Sequence, residues 1–243
     1  MTVSPFRFPL ASVAAVLLAA GLASCGAGHT ERQTGYARVG IDVSHHQEAI
    51  DWSAVAADGV DFAFVKATEG VDHADTRFCG NWADAKTAGL VRGAYHFFRA
   101  DRDGRAQADH FHRAVELRPG DLPAVVDVET LDGATPEQLI ANLRTWLFLT
   151  EIRTGAKPLI YTNLKFYYRH LAGHFDGYPL WIARYSRHAP ALSPATAPAF
   201  WQYGNRGRVA GIAGDVDLDV FLGDAAAFEA LRLREPSAVS FRP

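Results

Sequence analysis

Two rhythms of hydrophobic and polar positions take turns along this chain. Short runs rich in Val, Ile, Phe and Tyr read as strands, beginning with "RVGIDVS", "VDFAFVKAT", "GLVRGAYHFF" and "LPAVVDVE". Between them lie stretches with helical spacing: "DWSAVAADG", "TRFCGNWADAKTAG" and "GRAQADHFHRAVEL". "TPEQLIANLRTWLFLTEIRTG" predicts the longest helix, with Thr135 as N-cap, Pro136 at the first helical position and Gly155 at the end. After it come "KPLIYTN", a short helix around "LKFYYRHL", then "YPLWIARY", "APAFWQYG", "GDVDLDVFLG" and a last helix near "DAAAFEAL".

This pattern holds eight strands. The first five alternate with helices, which argues for parallel strands joined by helical crossovers. The last three are joined by irregular links rich in Pro or Gly. Eight strands in this length predict an α/β barrel with an irregular last third. An open doubly wound sheet is the alternative, but no Gly-rich phosphate loop follows the first strand.

Composition adds limits. With 243 residues, 21% of them charged and a net charge of −3, the chain suits one large domain. No Lys/Arg run reads as a nucleic-acid patch, so no nucleic-acid partner is expected. The start, "MTVSPFRFPLASVAAVLLAAGLASCGAG", reads as an export signal, its apolar run being too short for a comfortable membrane span. Its "LASC" resembles the bacterial lipoprotein processing box, which implies cleavage before Cys25 and a lipid on that cysteine. An ordinary signal peptide with an incidental cysteine is the competing reading. The expected organisation is a signal over 1–24, a tether over 25–37, a barrel over 38–235 and a tail over 236–243. The expected product is an exported monomer, anchored to a membrane on its periplasmic or cell-surface side, or else secreted. With Cys25 lipidated, Cys79 has no disulfide partner.

In a parallel barrel the site lies at the C-terminal ends of the strands. Those ends carry Asp42, His45 and His46; Lys66 and Glu69; Tyr95 and Phe97; Asp127 and Glu129; Tyr161 and Asn163; Trp181 and Tyr185; and Trp201, Gln202 and Tyr203. The last strand holds Asp215, Asp217 and Asp219. Acids ringed by aromatics make a sugar cleft, because rings stack on C–H faces while crowded carboxyls keep one proton near neutral pH. In "LPAVVDVETLDG", Asp127 and Glu129 stand two apart on a strand, so they share a face with Cα atoms roughly 6.5 to 7 Å apart. A protonated carboxyl beside an ionised one is what glycoside cleavage needs.

"GIDVSHHQ", "FVKATEG", "GAYHFF", "VVDVE", "IYTN", "LWIARY", "WQYG" and "GDVDLDVF" resemble, in order, the signature segments of the glycoside hydrolase family 25 lysozymes. The resemblance implies an irregular TIM-like barrel, five β/α units followed by three further strands. It implies hydrolysis of the β-1,4 bond between N-acetylmuramic acid and N-acetylglucosamine, with peptidoglycan glycan strands as partner and no cofactor. It places the general acid on Glu129, a partner carboxylate on Asp127, and two further site acids on Asp42 and Asp217. Tyr95, Phe97, Tyr161, Trp181, Trp201, Gln202 and Tyr203 fall on positions that line or support the sugar groove. Two departures stand out: Glu48 where Gly often follows the Gln, and Asp219 where Asn is usual.

No metal site is expected. His110 and His112 lie two apart on a helix and face different sides, and His45 and His46 diverge as neighbours on a strand. Trp146, Phe148 and Leu149 on the long helix are expected to pack. Lys66 either pairs with a site acid or caps its strand. Two other functions compete: hydrolysis of another GlcNAc polymer such as chitin, and wall binding by a non-catalytic lipoprotein.

Overall fold

Each apolar run becomes a strand of one closed sheet. The computed structural model describes Met1, residues 29–192 and residues 197–235. The expected signal beyond Met1, Cys25 and the tail over 236–243 lie outside the described residues. The strands are β1 (Val39–Val43), β2 (Phe62–Glu69), β3 (His73–Ala74), β4 (Val91–Phe97), β5 (Val125–Asp127), β6 (Leu159–Asn163), β7 (Leu180–Ala183), β8 (Phe200–Gly207) and β9 (Val216–Phe221). Around the barrel the order is β1-β9-β8-β7-β6-β5-β4-β2, closed by pairing of β1 with β2; the two-residue β3 is an appendage on β2.

The irregular last third is where the parallel expectation fails. β9 runs antiparallel to both β8 and β1, while the other barrel neighbours are parallel. A parallel return needs a crossover of a dozen residues or more, and the link over 208–215 allows only a reversal. The reversal matters for the site. It brings the beginning of β9, not its end, to the rim where the other strands finish, and sets Asp217 opposite Asp42.

Helices α1 (Trp52–Ala57), α2 (Phe78–Thr87), α3 (Gly104–Ala114) and α4 (Pro136–Thr154) cover the outside. Helix α4 starts and stops as its sequence predicts: Thr135 and Gln138 form a reciprocal capping box, and Gly155 ends it at φ 69°. Its buried face carries Leu139, Leu143 and Trp146. Phe148 does not pack: two residues past Trp146 it points away from the core and is 58% exposed. A short α5 (Leu164–Phe166) runs into a π-helical turn over Tyr167–Leu171, and α6 (Ala225–Leu231) follows the last strand.

Inside, the N-terminal end of the barrel is plugged by rings. Phe62 meets Phe200 at 5.2 Å and Phe228 of α6 at 5.7 Å, and Phe200 meets Phe221 at 5.1 Å. Glycines on the neighbouring strands make room. A Cβ on Gly40 would lie 2.3 Å from the Phe62 ring, and one on Gly93 would lie 2.6 Å from Phe64. We expect Gly40→Ala to cost about 1–3 kcal/mol through overpacking, read as a lower melting temperature. An unchanged melting curve would mean that the ring yields freely and does not set the packing.

Candidate active site

At the opposite end the inward positions turn polar. There a cleft of about 440 Å³ opens where β1 to β8 finish and β9 begins. Asp42, Asp127, Glu129 and Asp217 all line it, together with Tyr95, Phe97, Tyr161, Trp181 and Gln202. Asp127 is the last residue of β5 and Glu129 lies just beyond it, while Val128 between them is fully buried in the outer layer. The period of two expected for this pair therefore holds.

The same period excludes two expected groove residues. Gln202 of β8 faces inward, so its neighbours Trp201 and Tyr203 must face outward, and both are buried in the layer outside the sheet. The Trp201 indole donates to the Arg184 carbonyl at 2.8 Å, and the Tyr203 hydroxyl accepts from the Gln33 amide at 3.2 Å. They support the cleft wall without touching the cleft. The adjacent histidines also differ from expectation. They lie in a 3-10 turn, His45–Gln47, where the two rings approach to 4.0 Å instead of diverging. The His45 Nδ1 is 2.7 Å from the buried Asp75 carboxylate, and His46 lines the cleft.

Of the other lining residues, Lys66, Tyr185 and Asp215 stand among the strand-end residues expected from sequence, whereas Asn205 does not. Asn205 reaches the rim only because β8 and β9 form a hairpin, a long-range fact no local pattern carries. Lys66 pairs with Glu69 at 2.7 Å and not with a cleft acid. The Lys66 ammonium and the Arg99 guanidinium lie 5.0 and 4.8 Å from the centre of the Phe97 ring.

Hydrogen bonds fix the floor. The hydroxyls of Tyr161 and Tyr185 donate to Gln202 Oε1 at 2.9 and 3.2 Å, and Gln202 Nε2 donates to Asp42 Oδ2 at 2.7 Å. The Trp181 indole, stacked on Phe64 at 4.3 Å, donates to Asp219 Oδ1 at 2.7 Å. Asp127 Oδ1 is buried and has no hydrogen-bond partner among the described residues. Such an orphan acceptor is costly unless a ligand supplies its donor.

Burial pushes Asp42, Asp127, Glu129 and Asp217 upward. Asp127 is raised well above the usual carboxylate range by burial, then by the charges of Glu129 and Asp42. Asp42 is raised likewise by burial and by Asp219. Asp217 is pushed up to about 8 by burial, Asp42 and Glu129. Glu129 is raised by burial, and hydrogen bonds from Asn163 and Asp127 hold that rise in check. Outside the cleft floor the sign reverses: Glu69 is partly buried, which alone would raise it, but Lys66 and Arg99 bring it down to about 2.

These raised acids bind protons more tightly folded than unfolded. Their contribution to stability is therefore full below the unfolded carboxylate range, roughly 4, and is lost as pH rises through the folded values. For Asp217 that loss runs up to about 8. The melting temperature should fall between about pH 5 and pH 8, and Asp217→Asn should flatten the fall. A melting temperature that climbs across this window would contradict the shifts.

A family model described as "Glycosyl hydrolases family 25" matches residues 41–212. This chain belongs to glycosyl hydrolases family 25. Among its relatives, the uncharacterized YegX of Escherichia coli O6:H1 is 44% identical over 189 residues, 76% of this chain and 69% of that protein. Lysozyme M1 of Streptomyces globisporus is 40% identical over 226 residues, 85% of this chain and 76% of that one. A crystal structure of a bacterial lysozyme from Streptomyces coelicolor superposes with a TM-score of 0.75 at 36% identity, covering 82% of this chain and 98% of the other. A family 25 glycosyl hydrolase from Bacillus anthracis gives 0.78 at 33% identity, covering 84% and 98%.

Both departures of this family 25 chain have a structural reading. Glu48 closes the 3-10 turn at φ 53° and ψ −128°, a backbone conformation that suits glycine, so the Glu is held there under strain. Asp219 is fully buried and serves as the acceptor that orients Trp181 in the cleft floor.

Proposed function

We propose that this chain is a muramidase, hydrolysing the β-1,4 bond between N-acetylmuramic acid and N-acetylglucosamine in peptidoglycan. Glu129 is the general acid. Its raised proton affinity keeps it protonated closer to neutral pH, and it faces the cleft beside Asp127. The observation that carries the reading is this pair at the end of β5, with Asp127 presenting a buried unpartnered oxygen. The unpartnered Asp127 Oδ1 is placed to accept the N–H of a substrate N-acetyl group. That contact turns the acetyl oxygen toward the anomeric carbon as Glu129 protonates the leaving oxygen. Water, giving its proton to the Glu129 carboxylate, then attacks the anomeric carbon and breaks its bond to the acetyl oxygen; two inversions leave the first-formed product with its configuration retained. Proton NMR of that product showing an inverted centre would overturn substrate assistance.

Asp42 and Asp217 supply further acid character across the cleft, and Tyr95, Phe97, Tyr161, Trp181 and Gln202 hold the sugars. Lysozyme names among the relatives support the substrate class. The test is the release of new reducing ends from purified peptidoglycan and from chitin. The muramidase reading expects release from peptidoglycan and little from chitin; the opposite ranking would favour a chitin hydrolase, and none from either a binding protein.

We also propose that the chain is exported and held on a membrane by lipid on Cys25, on the strength of "LASC". Cells fed labelled palmitate should label the wild-type chain and not Cys25→Ala. Equal labelling of both would remove the anchor from the account.

A further inference from the structure

The cleft does not end at Glu129. That residue also borders a smaller hollow of about 170 Å³, completed by Asn163, Lys165, Phe166, Arg169 and His170. Arg169 and His170 in turn wall a third hollow of about 430 Å³, which lies between the start of α4 and the π-helical turn. Pro136, Glu137, Arg144, His174 and an apolar floor of Ile140 and Ala141 complete it, so two arginines and two histidines face one carboxylate there. The three hollows run in series from the catalytic acid to the open surface.

The trough gathers basic side chains. Several other guanidiniums are neutralised by ion pairs: Arg92 with Asp121, Arg99 with Glu69 and Asp132, Arg153 with Asp109. Arg144, Lys165 and Arg169 are exposed and have no ion-pair partner among the described residues. The opposite end of the cleft, past Phe97, differs. Its hollow sets Glu69, Asp72, Asp101 and Asp132 against Arg99 and Arg102, so it disfavours an anion.

We propose that this trough is a subsite for the carboxylates of the peptide stem on muramic acid, so that stem-bearing strands are cut faster than bare glycan. The proposal rests on the muramidase reading. A muramic acid at the scissile bond carries its stem on the lactyl group of the ring, so the stem starts beside Glu129. From there the cations at Lys165, Arg169 and Arg144 lie along an open path, and the Ile140–Ala141 floor suits the methyl groups of stem alanines. Each contact is an exposed ion pair, modest alone and weakened by salt.

The test compares soluble glycan strands bearing stems with the same strands stripped of stems by an amidase. The readout is the ratio of kcat/KM on the two. Wild type should favour stem-bearing strands by about fivefold, and the Arg144→Gln, Arg169→Gln double variant should bring the ratio close to one, as should high salt. Both side chains are exposed, so melting should confirm that the variant is folded. An unchanged ratio, or an equal loss on both substrates as a sugar-binding or structural role would give, overturns the proposal. If wild type cuts neither substrate, the muramidase reading fails and this subsite fails with it. If it cuts both without preference, only the subsite fails.

Discussion

Glu129→Gln should leave a folded protein that no longer clears peptidoglycan, with turnover lower by about 10²–10⁴. The amide keeps the size and most of the hydrogen bonding of the acid, so Asn163 and Asp127 retain a neighbour, but it has no proton to give the leaving oxygen. Melting should be unchanged or slightly higher, because the variant removes one of several carboxyls that burial and mutual repulsion disfavour. A Glu129→Gln protein with near wild-type turnover would remove Glu129 from the acid role. A protein that fails to fold would show that the carboxyl holds the barrel together, which its partners do not suggest.

The second large effect is on stability and comes from below the cleft. Arg92 on β4 is buried, donates to Asp121 Oδ1 at 2.9 Å and also donates to the Trp82 carbonyl. Its guanidinium lies 3.8 Å from the centre of the Trp82 ring. Asp121 in turn accepts the Arg118 amide at 2.9 Å and precedes β5, the strand that carries Asp127. Arg92→Ala would strand a buried carboxylate and empty the space under Trp82. We expect a loss of about 3–5 kcal/mol, measured by denaturant unfolding. Arg92→Ala together with Asp121→Ala should recover part of that loss, since no unpaired charge remains. A single variant within experimental error of wild type would mean that water reaches the pair.

The strands, the caps of α4 and the carboxyl pair were legible because each is local. Thr135, Pro136 and Gly155 announce a helix through their own chemistry, and Asp127 with Glu129 announces a shared face through a period of two. What went astray needed either stricter use of that period or knowledge of pairing. The family resemblance puts Trp201 and Tyr203 on positions that line or support the groove; Gln202 between them claims the inward face, so they only support it. The direction of β9 was invisible locally, and with it the placing of Asn205 at the rim. Phe148 is expected to pack as an apolar residue of the long helix, but its distance from Trp146 along α4 sends it to solvent. The His45–His46 contact depended on a 3-10 turn that Ser44 and Gln47 cap reciprocally, in a stretch that reads as strand.

The claim at the centre is that this cleft cuts on the muramic acid side of the glycan. Purified peptidoglycan digested with the wild-type protein, reduced with borohydride and analysed by mass spectrometry identifies the sugar at each new end. The account predicts reduced muramic acid at those ends and none from the Glu129→Gln protein. Reduced glucosamine at the new ends would contradict it.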